Sequence, residues 1–252
     1  MIKAFKPVEA GFYALFVLFT ILFFGGNPLS ILPAALLLLA KQGFESFYRS
    51  DIDRIYRKVH YGDKEKTSIL RVSIFLSLFS VLFAVYFGLA IQYAFIALVI
   101  FLASRIVHSY QFPADLVLSI VTSLLMMVHS TNLWSMAPVY WFAFFSEISM
   151  RSIHQMARPF GMGNYNLPKL LGVAAAEEFL IVITLLSSMW PILMSRYAPG
   201  ITFTLFSVSA MLIAASVYAL KVSHTERAGK LTRVSAMVFL LALYASYGLQ
   251  IL

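Results

Sequence analysis

Two short stretches place an acid and an arginine four residues apart inside otherwise apolar sequence. The first is "ESFYRSDIDR", with Glu45 and Arg49; the second is "EISMRSIHQ", with Glu147 and Arg151. Both read E-x-x-x-R-S. On a helix, i and i+4 share a face, and Glu placed N-terminal to Arg is the favourable order for an ion pair. In the first copy Asp53 continues the face and Arg54 and Arg57 follow; in the second Gln155 continues it, with His154 and Arg158 alongside. Arginine offers bidentate contacts to phosphate, and carboxylates offer oxygen to hard metals. Either chemistry needs these groups gathered at one place. The same spacing also serves a third purpose, neutralising charge between packed helices.

The elements that must carry these residues are membrane helices. The 252 residues are 61% hydrophobic and 12% charged, with a mean hydropathy of +0.85. A soluble domain of that length could not bury so much apolar surface, so part of its solvent is lipid. Residues 10–40, 72–104 and 116–146 contain no Asp, Glu, Lys or Arg. Each would make a single helix of roughly 46–50 Å, against a hydrocarbon core of about 30 Å. Each also has a breaker near its middle: Gly25-Gly26-Asn27-Pro28, then Gly88 with Gln92, then His129-Ser130-Thr131-Asn132. The windows therefore read as three helical hairpins. Further spans follow near 168–190, 198–220 and 232–251. The expected fold is all-α and polytopic, a single integral membrane domain (1–252) of nine spans, or seven if two hairpins re-enter.

Charge placement orients this frame. With the N-terminus inside, the inside segments are 1–8, 41–71, 105–115, 151–169 and 221–233. They hold 18 of the 19 Lys and Arg residues, and only Arg196 falls outside. That bias predicts a cytoplasmic N-terminus, an outside C-terminus and a plasma-membrane location. It accounts for the formal charge of +8 without nucleic acid as a partner. The first apolar run passes through "FFGGNPLS" into a second one, so it reads as a retained span rather than a cleaved leader. The expected partners are membrane lipids.

Two inside stretches carry a family resemblance. "DIDRI" (51–55), with Asp53 and Arg54, and "GNYNLPKLLG" (163–172) are similar to the loop motifs of the UbiA superfamily of intramembrane prenyltransferases. In that family the first loop reads N-D-x-x-D-x-x-x-D and the second ends D-x-x-x-G-x-x-T-L-P-x-x-L-G. The resemblance implies helices ringed around a lipid-facing cavity with its polar end inside. It also implies a prenyl diphosphate held through Mg²⁺ on two carboxylate clusters, and a third inside loop contributing Tyr, here Tyr110. In this register Glu45 stands at the Asn position, Ser46 and Arg49 at the first two Asp positions, and Asp53 alone keeps an acid. Ser152, Gln155 and Pro159 stand where the second cluster's acids belong, and Asn166 replaces Thr.

A cation beside each acid repels a divalent ion. No metal site of the two-cluster kind is therefore expected, and Mg²⁺ is disfavoured as a cofactor. Three readings stay open. An isoprenoid or polyprenyl diphosphate, or another anionic head group, meets Arg49, Arg54, Arg57, Arg151 and Arg158 directly; transfer, if any, would then rest on Asp53. Alternatively, the chain is a non-catalytic lipid- or quinone-binding or assembly protein. In the third, the Glu/Arg pairs only neutralise charge. The repeated motif also suggests an internal duplication, spans 2–3 echoing spans 6–7.

Other residues carry less. Glu177 and Glu178 lie about two turns into a span, where pairing with Lys169 on the same face is the expectation. The five histidines, His60, His108, His129, His154 and His224, show no i, i+4 spacing, and only His154 is a candidate contact for phosphate. The chain has no cysteine, which excludes disulfides and thiolate chemistry. The last span has no lysine to form a Schiff base.

Overall fold

A computed structural model describes residues 2–50, 61–107, 109–156, 165–196, 198, 200–222 and 224–251. Secondary structure among them is helical throughout. The helices are α1 (Pro7–Phe23), α2 (Ile31–Tyr48), α3 (Asp63–Tyr86), α4 (Ala90–Ile106), α5 (Gln111–Val128), α6 (Ala137–Met156), α7 (Leu167–Leu171), α8 (Val173–Ser195), α9 (Gly200–Lys221) and α10 (Thr225–Ile251). Short 3-10 turns lie at Ile2–Phe5 and Pro28–Ser30.

All three hairpins break where the sequence places a breaker. Between α1 and α2 the Asn27 side chain accepts from the Leu29 N–H at 2.9 Å, an Asx turn that Pro28 pre-sets. Between α3 and α4, Gly88 adopts φ 71°, a conformation that costs other residues energy and glycine little. Between α5 and α6, Asn132 accepts from the Trp134 N–H at 3.1 Å.

Five helices, α3, α5, α8, α9 and α10, are long and apolar enough to cross a membrane, and α1 and α4 are shorter apolar helices. The chain is an integral membrane protein. The two remaining long helices are α2 and α6, whose last turns carry Lys41, Gln42 and Glu45, or Glu147 and Arg151. The helices that are least like lipid-spanning segments are the ones bearing the repeated motif. They also extend further than expected. The charged segment 41–71 is helical at both ends, in α2 and α3, which leaves a shorter connection than the charge pattern implies.

The chain divides into two units. The first is Met1–Thr131 with Gly161–Tyr165, and the second is Asn132–Phe160 with Asn166–Leu252. In the first, α2 packs against α1, α3 and α4, and α5 against α1 and α4. At Gly43, on α2, an added Cβ would press on Ser73 Oγ and lie 2.5 Å from Phe5 Cε1. In the second, α6 packs on α8 and α10, and α9 lies between α8 and α10 in the order of contacts.

Buried hydroxyls join the second unit's helices. Ser209 and Ser235 hydroxyls lie 2.9 Å apart and each also donates to the other's carbonyl. Ser216 and Thr232 are 2.9 Å apart, and Ser149 and Thr184 2.6 Å. In lipid, apolar surface gives no drive for helices to associate, so close packing and such hydrogen bonds hold them together.

Candidate functional site

In the first unit, the last three turns of α2 form a buried polar stripe. Lys41 is 0% exposed, Gln42 3%, Glu45 5% and Ser46 8%. The Lys41 ammonium sits over the Tyr13 ring of α1, 5.4 Å from the centroid, where the ring quadrupole favours a cation. Arg49 caps α2, its backbone N–H donating to the Glu45 carbonyl at 2.9 Å. A cation there suits the negative end of the helix.

The Arg49 guanidinium does not stop at Glu45, which its Nε approaches only to 4.0 Å. Nη2 donates to Asp115 Oδ1 on α5. Asp115 is wholly buried at the start of the second turn of α5, near that helix's positive end. The i, i+4 spacing named Glu45 as Arg49's partner; the closer partner is an acid on another helix. One arginine thus serves two buried acids.

Ser46 has a structural occupation. Its hydroxyl donates to the Ala4 carbonyl at 2.6 Å, pinning the N-terminal turn against α2. Phe5, Tyr61 and Ile69 complete a small apolar cluster there. Tyr110 is half exposed and stacks on Tyr165, with centroids 5.4 Å apart and planes 9° from parallel. Around that stack, Tyr165 N–H donates to Ser109 O and Phe112 N–H to Tyr165 O, both at 3.1 Å.

In the second unit, Glu147 is 1% exposed and its Oε1 accepts from Arg151 Nη2 at 2.8 Å and Nε at 3.1 Å. Here the i, i+4 pair forms directly on α6. Gln155 is buried, and its Oε1 accepts the Leu167 N–H at 2.7 Å. The Asn166 side chain caps the same short helix α7, accepting from Lys169 N–H at 3.0 Å. His154 is exposed and meets Arg233 of α10, Nε2 to Nη2 at 3.2 Å. Glu177 is half-buried and Glu178 exposed, and neither pairs with Lys169. Gly172, at φ 81°, separates α7 from α8, so the three residues do not share one continuous helix face.

Asp53, Arg54, Arg57 and Arg158 lie outside the described residues, as do His60, His108 and Pro159. The described candidates therefore fall into two groups: Glu45 and Arg49 with Asp115 in the first unit, and Glu147 with Arg151 in the second. Sequence reading missed Lys41, Asp115, Tyr165 and Arg233. Only Asp115 carried a signal, as the one acid between Glu65 and Glu147. Each buried acid in these groups faces a guanidinium, and no group of three or more His, Asp or Glu able to hold a metal ion occurs among the described residues.

No protein-family model matches the sequence, and no curated protein matches it. Solved structures do. A UbiA homologue from Aeropyrum pernix K1, in its apo state, superimposes with a TM-score of 0.73 at 12% identity, over 97% of this chain and 98% of that one. This chain has the UbiA fold. Digeranylgeranylglyceryl phosphate synthase gives a TM-score of 0.69 at 14% identity, over 97% and 94% of the two chains. A UbiA homologue from Archaeoglobus fulgidus bound to GPP and Mg²⁺ gives 0.56 at 13%, over 97% and 98%. Asn166 is the N-cap of α7 and supplies a side-chain acceptor there, as residues of its type commonly do. The two E-x-x-x-R-S copies end α2 and α6, one in each unit.

Proposed function

We propose that this chain is a UbiA-type membrane protein that handles an isoprenoid diphosphate or a related anionic lipid, with arginine rather than Mg²⁺ facing the anionic head. The observation that carries the proposal is the UbiA fold over 97% of the chain, joined to guanidinium groups at the ends of both motif helices. The neighbour from Archaeoglobus fulgidus holds GPP and Mg²⁺.

When bound, Mg²⁺ supplies Lewis-acid neutralisation of a departing diphosphate. The described residues at the motif positions do not fit it. Ser46 Oγ is committed to Ala4 O, Gln155 Oε1 to Leu167 N–H, and Arg49 and Arg151 stand over the nearest acids. Arginine suits the remaining task, because its planar fork contacts phosphate oxygens bidentately and keeps its charge at every working pH. Arg54, Arg57 and Arg158 belong to the proposed head-group set with Arg49, Arg151 and His154, and Asp53 is the proposed catalytic acid if transfer occurs. The duplication of spans 2–3 in spans 6–7, the cytoplasmic N-terminus and the plasma-membrane location are part of the same proposal.

A second reading is a non-catalytic lipid- or quinone-binding or assembly protein. It is favoured by the structural use of Ser46 and Gln155. Native extraction of bound lipids with mass spectrometry, followed by a transfer assay with labelled polyprenyl diphosphate, separates the two. Copurified isoprenoid with no turnover supports the second; turnover lost on Asp53→Ala supports transfer.

A further inference from the structure

The second unit carries an exposed ridge that the proposed function does not use. On α10 the residues exposed to the surroundings include Arg227, Lys230, Arg233, Val234, Met237 and Leu241. At 100° per residue they fall within an arc of roughly 120°. The opposite arc is buried, with Ala228, Thr232, Ala236, Phe239 and Leu243 packed inside. The ridge is therefore cationic at the N-terminal end of α10 and apolar beyond it. From Lys230 to Leu241 it rises about 16 Å, close to the roughly 15 Å half-thickness of the hydrocarbon core.

We infer that this ridge is a binding site for one anionic glycerophospholipid, with its phosphate at Arg227, Lys230 and Arg233 and an acyl chain along Val234, Met237 and Leu241. Charge complementarity selects the head. Three cations lie on the arc, and Glu226 pairs with Lys230 at 3.0 Å. At the start of α3, by contrast, Lys64 and Lys66 alternate with Asp63 and Glu65, which largely cancels the field. The apolar part of the ridge, Val234 to Leu241, rises about 10 Å, long enough to lie along part of one acyl chain. The Arg233 guanidinium is also anchored at the junction with α6 by its contact with His154, so one cation of the head site is held in place. Each net positive charge near a membrane surface is worth roughly a fivefold preference for anionic lipid.

The test places the full-length protein in nanodiscs of phosphatidylglycerol and phosphatidylcholine in equal parts. The chain has no cysteine, so a nitroxide on Met237→Cys reports only this ridge. Acyl-labelled phosphatidylglycerol is expected to contact it about tenfold more than acyl-labelled phosphatidylcholine. The Arg227→Gln/Lys230→Gln/Arg233→Gln variant is expected to lose that preference, and Lys64→Gln/Arg71→Gln to keep it. Equal contact by both lipids in the Met237→Cys protein overturns the inference by itself, whether or not the triple variant folds. Equal loss in the α3 variant overturns it too, by showing general surface charge in place of a site. So does dipolar broadening between nitroxides, which would put a second copy of the chain on the ridge.

Discussion

Arg49 at the end of α2 is ion-paired with Asp115 on α5, 66 residues away, while Glu45 one turn back lies 4.0 Å from its Nε. This relationship makes the two acids unequal in what they lose. Removing Asp115 leaves Arg49 with Glu45. Removing Arg49 takes one guanidinium from two acids at once, both buried, at 5% and 0% exposure.

Arg49→Met is therefore expected to destabilise the protein by about 3–5 kcal/mol, the range for breaking a buried pair by deleting one partner. Asp115→Asn is expected to cost clearly less. Replacing both residues by apolar ones of similar volume restores much of the stability. Thermal unfolding in a constant detergent checks the order. A larger loss for Asp115→Asn than for Arg49→Met would contradict the shared-arginine geometry.

Gly43→Ala inserts a methyl between α2, Ser73 and Phe5 where no room exists. Overpacking of this kind costs about 1–3 kcal/mol. Phe5→Ala in the same chain is expected to relieve part of the loss, because Phe5 belongs to the short N-terminal turn that can yield. An unchanged melting temperature for Gly43→Ala would show that the turn does not pack there.

Ser46→Asp places an acid beside Glu45 on α2. It is expected to destabilise the protein without creating a Mg²⁺ response, because the carboxylate would face the Ala4 carbonyl that Ser46 now satisfies at 2.6 Å. Melting curves with and without millimolar Mg²⁺ decide this. A Mg²⁺-dependent rise in the variant alone would mean that one added acid is enough to bind the metal there.

His129, at the turn after α5, has its pKa lowered to about 4 by burial, with Tyr93 Oη 2.8 Å from Nε2. The unfolded chain, with a histidine near 6.5, binds more protons than the folded one between those values. Stability from this residue is therefore full above about pH 6.5 and is lost as pH falls towards 4. His129→Gln is expected to flatten that part of the pH profile. Equal acid sensitivity in both proteins would remove His129 as the cause.

The hairpins were legible because Gly25 to Pro28, Gly88 and His129 to Asn132 interrupt windows too long for one crossing, and helices break at turn chemistry that sequence displays. Glu147 with Arg151 was legible because partner and spacing lie on one helix. Asp115 was not, since its partner comes from another element and no local pattern encodes that approach. Lys41 opens the charged segment 41–71, yet it is wholly buried. A charge in sequence does not reveal that an aromatic ring of α1 waits to receive it. Lys169 and Glu177 were joined in sequence by helical spacing that Gly172 interrupts in space.

Equilibrium binding of GPP to the purified protein, in EDTA and in Mg²⁺, tests most directly whether arginine holds an anionic isoprenoid without a divalent metal. Equal affinity is expected in both, reduced at least tenfold by Arg151→Gln in a variant whose melting shows it folded. Binding that appears only with Mg²⁺ would contradict it.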